Sequence, residues 1–335
     1  MGDVASIAIR SIPADDASFD EGGYLSANPD VAMAVRAGKI SSGRAHFEKF
    51  GRAERREIRI VDGDLSAMRA AKLARLAPLL RLDMPHVARD GKLDFLTREL
   101  AASTAISDVD AVSGHGYDAE VLALIEANAD GVLLDCGAGR RDIYYSNVVN
   151  FEIVDYDTTD VLGVGEALPF KDNSFDAVIS IAVLEHVRDP FQCAREISRV
   201  LKPGGKLFCA MPFLQPVHGY PHHYFNATPQ GLKRLFEDDL QTEQPVVTAA
   251  FHPIWALSWI LNSWSRGLDK SARAKFEATT VAELMRHPLP HMHESYVANL
   301  SAEAQGELAC GSVLRATKPG RSVLARARDL IAGRG

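Results

Sequence analysis

The sequence predicts an α/β protein built on a parallel β-sheet with helices covering both faces. Two observations carry this expectation. From residue 119 onward, short apolar runs rich in β-branched residues alternate with helical patterns, as strands joined by crossover helices do. One of these runs, 132–134, ends in Asp135 and leads straight into Gly137 and Gly139. A chain turning sharply at the carboxyl end of a central strand needs residues without a β-carbon, both for unusual dihedrals and to let a ligand lie against backbone.

Taken in chain order, residues 1–60 read as an N-terminal helical module. Phe19, Tyr24, Leu25, Val31, Val35, Phe47 and Phe50 supply apolar anchors, while Pro29, Gly38, Gly43 and Gly51 punctuate two short helices. Residues 61–118 read as a helical linker or cap: Leu65, Met68, Leu73, Leu76, Leu79 and Leu80 recur at near-helical spacing, and 103–118 is a polar connection containing Gly114 and Gly116. The core is expected over 119–252. It opens with the amphipathic helix "AEVLALIEANA" and continues with strands in "GVLLDCGAG", "NVVNFEIVD", "DVLGVGEALPF", "FDAVISIAVLEHV", "KLFCAMPF" and "QPVVTAAF", with helices in "CAREISRVLKPGG" and "TPQGLKRLFED". A helical insert over 253–305 follows, then a last core strand within 306–320 ("GSVLRATKP") and a tail at 321–335. Only residues 140–147 separate the glycine turn from the next strand, and fewer separate that strand from "DVLG". Parallel strands ordinarily need a crossover of about a dozen residues, so the first crossover helix is expected to shrink to a turn or two and the second to be absent.

Composition narrows the function classes. At 335 residues, 47% apolar and 24% charged, the chain is an ordinary globular protein with more than one unit. Its net charge of −7 opposes binding to a polyanion, so nucleic acid is not an expected partner. No stretch reaches the ~18 apolar residues of a spanning helix, and the start carries no secretory pattern; a cytoplasmic protein is expected. Cys136, Cys193, Cys209 and Cys310 show no CxxC pairing, so neither a zinc site nor a disulfide framework is expected, and no metal ligand is assigned.

The runs "LPFKDNSFDAVISIAVLEHVRDP" and "REISRVLKPGGKL", together with "LLDCGAG", resemble the class I, Rossmann-like S-adenosylmethionine-dependent methyltransferases, in particular their type 11 branch, over about residues 115–240. The resemblance implies a mostly parallel seven-stranded sheet and S-adenosylmethionine as cofactor. Carried onto this chain, it makes Gly137, Ala138 and Gly139 the wall against the methionine part. Asp135 would support that loop and the cofactor amino group. Glu152, 17 residues after Asp135, would accept hydrogen bonds from both ribose hydroxyls, for which an acceptor-only carboxylate is suited. Asp155 is the alternative if the strand register slips. The chain departs from the family where an adenine-binding Asp is common: that position is Val164, leaving adenine to Glu166 or to backbone near Ala167 and Leu168. The third glycine of a dinucleotide GxGxxG is replaced by Asp142, which counts against a nicotinamide-dependent oxidoreductase. Arg140, Arg141, Tyr144 and Tyr145 either crowd the methionine carboxylate or form a solvated loop.

Methyl transfer from a sulfonium needs alignment and exclusion of water, and a base helps when the acceptor is a hydroxyl. The segment "PFLQPVHGYPHHYFNATPQGL" follows a strand at the same edge and holds His218, Tyr220, His222, His223 and Tyr224. His222 and His223 are the candidate catalytic residues; the other reading is a loop capping the helix that starts after Thr228. Glu185 and His186 are weaker candidates. Trp255 and Trp259 lie on one face of the insert, as core or as an acceptor lid, and the basic amphipathic tail leaves peripheral membrane contact open. The stretch "YLSANPDVAMAVRAGKISSGRAHFEKFGRAERRE" resembles a short module found beside bacterial glycan-modifying enzymes. With it, the expected acceptor is a small molecule or a saccharide or lipid-linked glycan hydroxyl; the alternative is a non-catalytic cofactor-binding or scaffolding protein. The oligomeric state is not legible.

Overall fold

The computed structural model describes residues 4–106, 114–219 and 222–315. The chain divides into two compact units, Met1–Trp255 and Ala256–Gly335. The described residues hold ten strands, all in the first unit, numbered in chain order: β1 (Ser6–Pro13), β2 (Glu57–Val61), β3 (Val87–Arg89), β4 (Lys92–Asp94), β5 (Leu133–Cys136), β6 (Ile143–Tyr145), β7 (Val148–Glu152), β8 (Val161–Leu162), β9 (Phe175–Ile181) and β10 (Leu201–Ala210). Seven of them form one sheet in the order β10-β9-β5-β7-β8-β4-β3, parallel at every neighbouring pair except the β3–β4 hairpin. The fold class is the Rossmann-like α/β sheet that the sequence implied.

Alternation along the strands builds two apolar layers. In β5, Leu133 joins Val148, Ala177 and Ile179 under Val121 and Ile125 of the helix Ala119–Ala127. Leu134 and Cys136 face the other way, into a larger core with Val149, Phe151, Phe170, Val178 and Ile197. The helix Pro190–Val200 turns Cys193, Ala194, Ile197 and Val200 inward; its start is set by Asp189, whose side chain accepts from Gln192 N–H, with Pro190 at the first position.

Several expectations are corrected. Among the described residues 306–315 there is no strand where the last one was expected: Ala302–Leu308 is helical, 309–315 is irregular, and 316–320 lies outside the described residues. Val313 and Leu314 are exposed, so nothing there draws the run into a sheet. "QPVVTAAF" is likewise not a strand; Val246 and Val247 face solvent behind Pro245. The count of seven is completed instead by β3 and β4, from the stretch expected to be a helical linker. The N-terminal module is not wholly helical either. β1 and β2 bracket its helices Glu21–Ala27, Pro29–Arg36 and Gly43–His46, and with β6 they form a second, antiparallel sheet in the order β2-β1-β6. The period-two burial of Ile7 and Ile9 is the physical signal for β1.

The first crossover, expected to keep a turn or two of helix, holds β6 instead, and no helix lies between β7 and β8. The helix Leu65–Leu76 supplies cover, with Leu76 in the large core and Lys72 Nζ 2.8 Å from buried Asp160. Tyr144 of β6 donates to the same carboxylate and lies under the Lys72 ammonium. Arg59 of β2 ties the module to the sheet: its buried guanidinium meets Asp157 at 2.7 Å, Asp142 at 2.9 Å and the Arg141 carbonyl at 2.7 Å.

In the second unit, Leu268, Ala272, Phe276, Tyr296, Leu300 and Ala304 form a small core on which Trp264 packs, donating to the Tyr296 carbonyl at 2.7 Å. Trp255 is 63% exposed; the helix Pro253–Arg266 is thus not a core helix along its whole length. No helix among the described residues is long and apolar enough to cross a membrane. The tail at 321–335 lies outside the described residues.

Candidate active site

The chain leaves β5 toward β7 and β8 on one side, while β9 and β10 lie on the other. The crevice between β5 and β9 is therefore the switch point of the sheet, where open α/β folds place ligands. Asp135, Gly137, Ala138 and Gly139 sit there. Gly137 and Gly139 have φ of +79° and +63°, a region that costs other residues about 1–2 kcal/mol, and a Cβ on Gly137 would overlap the Val183 side chain. The loop is fixed to β7: Gly137 and Ala138 N–H both donate to the Phe151 carbonyl, at 2.9 and 3.0 Å.

Beneath the turn lies a charged cluster. Asp135 is fully buried, and its Oδ2 accepts from Arg141 Nη2 at 2.5 Å, Arg141 Nε at 3.0 Å and the Tyr117 hydroxyl at 2.5 Å. Its Oδ1 is buried with no partner among the described residues. Arg141 also donates to the His115 carbonyl at 2.6 Å and lies over the Tyr117 ring. Of the four residues expected near the methionine carboxylate, Arg141 is thus spent on Asp135 and Tyr144 on Asp160. Arg140 reaches toward the Ser26 carbonyl, and Tyr145 packs near Tyr117.

Glu152 ends β7 beside the turn. Its Oε2 accepts from Gly139 N–H at 2.7 Å and its Oε1 from Ile153 N–H at 2.7 Å. Burial pushes its pKa up, against the lowering effect of these N–H groups. Asp155, the alternative, is instead paired with Lys92 at 2.5 Å. Glu166, in a short turn before buried Leu168, directs its carboxylate to Arg188 N–H at 3.0 Å; burial raises its pKa as well. Leu168 N–H donates to Glu196 at 2.9 Å, and Ala167 N–H to the Val164 carbonyl at 3.1 Å. The polar groups proposed for adenine therefore already have protein partners.

Past β9 the chain turns at Ala182, with φ of +55°, and the histidine loop folds onto that turn: Tyr224 N–H donates to the Glu185 carbonyl at 2.7 Å. His223 uses both ring nitrogens, accepting from His218 N–H at Nδ1 (3.0 Å) and donating from Nε2 to Asn226 Oδ1 (2.8 Å). His222 donates from Nε2 to the Ala105 carbonyl at 2.9 Å, which places its lone pair on Nδ1. The two candidates are thus unequal as bases. Tyr220 lies outside the described residues. The sequence reading missed Tyr117, whose hydroxyl completes the Asp135 cluster, and Val183, which faces Gly137; no residue spacing points to either.

Residues 109–209 match the family model described as a methyltransferase domain. A demethylmenaquinone methyltransferase of Renibacterium salmoninarum is 36% identical over 111 residues, covering 33% of this chain and 43% of that protein. Cycloartenol-C-24-methyltransferase 1 of Oryza sativa subsp. japonica is 35% identical over 128 residues, covering 34% and 36%. The chain thus spans less than half the length of these relatives. Phosphoethanolamine N-methyltransferase 2 of Haemonchus contortus, solved with S-adenosyl-L-methionine, is 15% identical, with a TM-score of 0.31 over 57% of this chain and 50% of that one.

Proposed function

We propose that the chain, whose residues 109–209 match the family model described as a methyltransferase domain, is an S-adenosylmethionine-dependent enzyme that transfers the cofactor's methyl group to a hydroxyl acceptor at the carboxyl edge of the sheet. The observation that carries this reading is the glycine turn at the switch point, backed by a fully buried Asp135 whose Oδ1 has no partner. The residues present fit the cofactor. Asp135 Oδ1 is an acceptor for its ammonium group, the 137–139 backbone forms the wall for its methionine part, and Glu152 keeps acceptor capacity for the ribose hydroxyls beyond the N–H groups it already takes. When bound, the cofactor supplies a methyl group already activated on a sulfonium, leaving the protein to align the acceptor and exclude water. His222 accepts the acceptor's proton at Nδ1, while His223 holds the loop.

The acceptor we favour is a saccharide or lipid-linked glycan hydroxyl. Two features support it: the resemblance of 24–57 to a module found beside glycan-modifying enzymes, and the apolar side chains Phe213, Leu214, Val217 and Phe225 that the acceptor loop exposes, a surface suited to a lipid-linked substrate. The test is transfer of labelled methyl from S-adenosylmethionine to fractionated cell-envelope glycans. Label in a glycan or lipid-linked fraction upholds the reading. Tight cofactor binding with no transfer to any fraction favours the non-catalytic alternative.

A further inference from the structure

We propose that Glu185, His186 and His218 form a binding site for one divalent cation of the zinc class. The three residues come from two segments that sequence alone does not join, the turn after β9 and the loop after β10. Folding brings one ligand atom of each within 4.8 Å of the others. Glu185 is fully buried, yet among the described residues neither of its carboxyl oxygens has a hydrogen-bond partner. A buried carboxyl group without partners is costly, and a cation beside it removes that cost.

The two imidazoles are set up in the way metal ligands usually are. His186 Nδ1 lies 2.7 Å from the His222 carbonyl, and His218 Nδ1 lies 2.8 Å from the Pro216 carbonyl. A carbonyl only accepts, so each Nδ1 carries the proton and each Nε2 carries the lone pair. This outer hydrogen bond to backbone fixes the tautomer and ring orientation of a ligating histidine. Three further contacts hold the rings. A Cβ on Gly219 would overlap the His186 ring, so glycine lets the loop close over it. His223 accepts from His218 N–H, and its ring lies 4.4 Å from that of His218. Tyr224 N–H binds the Glu185 carbonyl.

The spacing favours a cation over a direct hydrogen bond. His186 Nε2 and Glu185 Oε1 are 3.8 Å apart, too far for a hydrogen bond. Two ligands on a tetrahedral zinc, with bonds of about 2.0–2.1 Å, stand about 3.3 Å apart. Binding therefore needs a contraction of about half an ångström at this pair. Two nitrogens and one carboxylate suit zinc or a neighbouring transition metal, whereas magnesium and calcium prefer all-oxygen sets. Three protein ligands leave a fourth position open.

The test uses the full chain, stripped with a chelator and dialysed against zinc chloride, with metal content and competition against a chromogenic chelator as readouts. About one equivalent of zinc is expected to be retained, with affinity falling at least 100-fold in Glu185→Gln and in His186→Gln. Cobalt(II) should give tetrahedral ligand-field bands that both variants lose. A double substitution at His291 and His293, in the second unit, should leave retention unchanged. If Glu185→Gln does not fold, judged by circular dichroism, His218→Gln carries the same expectation. Failure to retain zinc, or equal retention in the wild type and these variants, would overturn the site. None of these readouts depends on methyl transfer.

Discussion

Replacing Arg141 by Met should destabilise the first unit by about 3–5 kcal/mol, the cost of removing one partner from a buried ion pair. The magnitude follows from burial and geometry: the side chains of Arg141 and Asp135 are 3% and 0% exposed and meet at 2.5 Å. Without the guanidinium, Asp135 keeps only the Tyr117 hydroxyl, because its Oδ1 already lacks a partner. The His115 carbonyl also loses its 2.6 Å donor. Methionine preserves much of the apolar stem, so the loss reports on charge more than on packing. Urea unfolding of the wild type, Arg141→Met, Asp135→Asn and the double variant gives the cycle. The double variant should be more stable than the sum of the single losses predicts, by about 1.5–3 kcal/mol. A loss below about 1 kcal/mol in Arg141→Met, or strict additivity, would refute the reasoning.

Gly137→Val should abolish cofactor binding, because the side chain would have to share space with Val183. Gly137→Ala combined with Val183→Ala should fold better than Gly137→Ala alone yet stay below wild type, since the left-handed backbone at +79° is still strained; equal melting temperatures of the two variants would refute this. Glu152→Ala should weaken cofactor binding by about 1.5–3 kcal/mol. Since burial raises the pKa of Glu152, the carboxylate takes up its proton at a higher pH than an exposed glutamate. Affinity measured by titration should therefore fall on acidification earlier than an ordinary carboxylate would allow, and Glu152→Gln should lose that dependence. His222→Gln should lower turnover by about 10²–10⁴ with cofactor affinity intact. His223→Gln should mainly lower the melting temperature; equal turnover losses in the two would count against His222 as the base.

The parallel sheet was legible because β5, β7, β9 and β10 are apolar runs closed by turn residues, a local pattern. What could not be read were the strands whose formation depends on distant partners. β6 looks like a loop of Tyr and Ile until β1, more than a hundred residues earlier, pairs with it. β3 and β4 are three residues each, too short to show a period. In the opposite sense, residues 311–315, the described start of "GSVLRATKP", have strand-like composition yet are irregular, because composition alone does not form a strand. The proposed site follows the same division. The glycine turn and Glu152 are signalled by local sequence. Tyr117 beneath Asp135, and the meeting of Glu185 with His218, arise only from tertiary placement.

The most direct test of a cofactor site at the β5–β9 switch point is calorimetric titration of the full chain with S-adenosylmethionine and S-adenosylhomocysteine, alongside the nicotinamide dinucleotides. One site of micromolar affinity for the first two ligands is expected, lost in Gly137→Val and weakened in Glu152→Ala, with no heat from the dinucleotides. Silence with both methionine-derived ligands, together with binding of a nicotinamide dinucleotide, would contradict it.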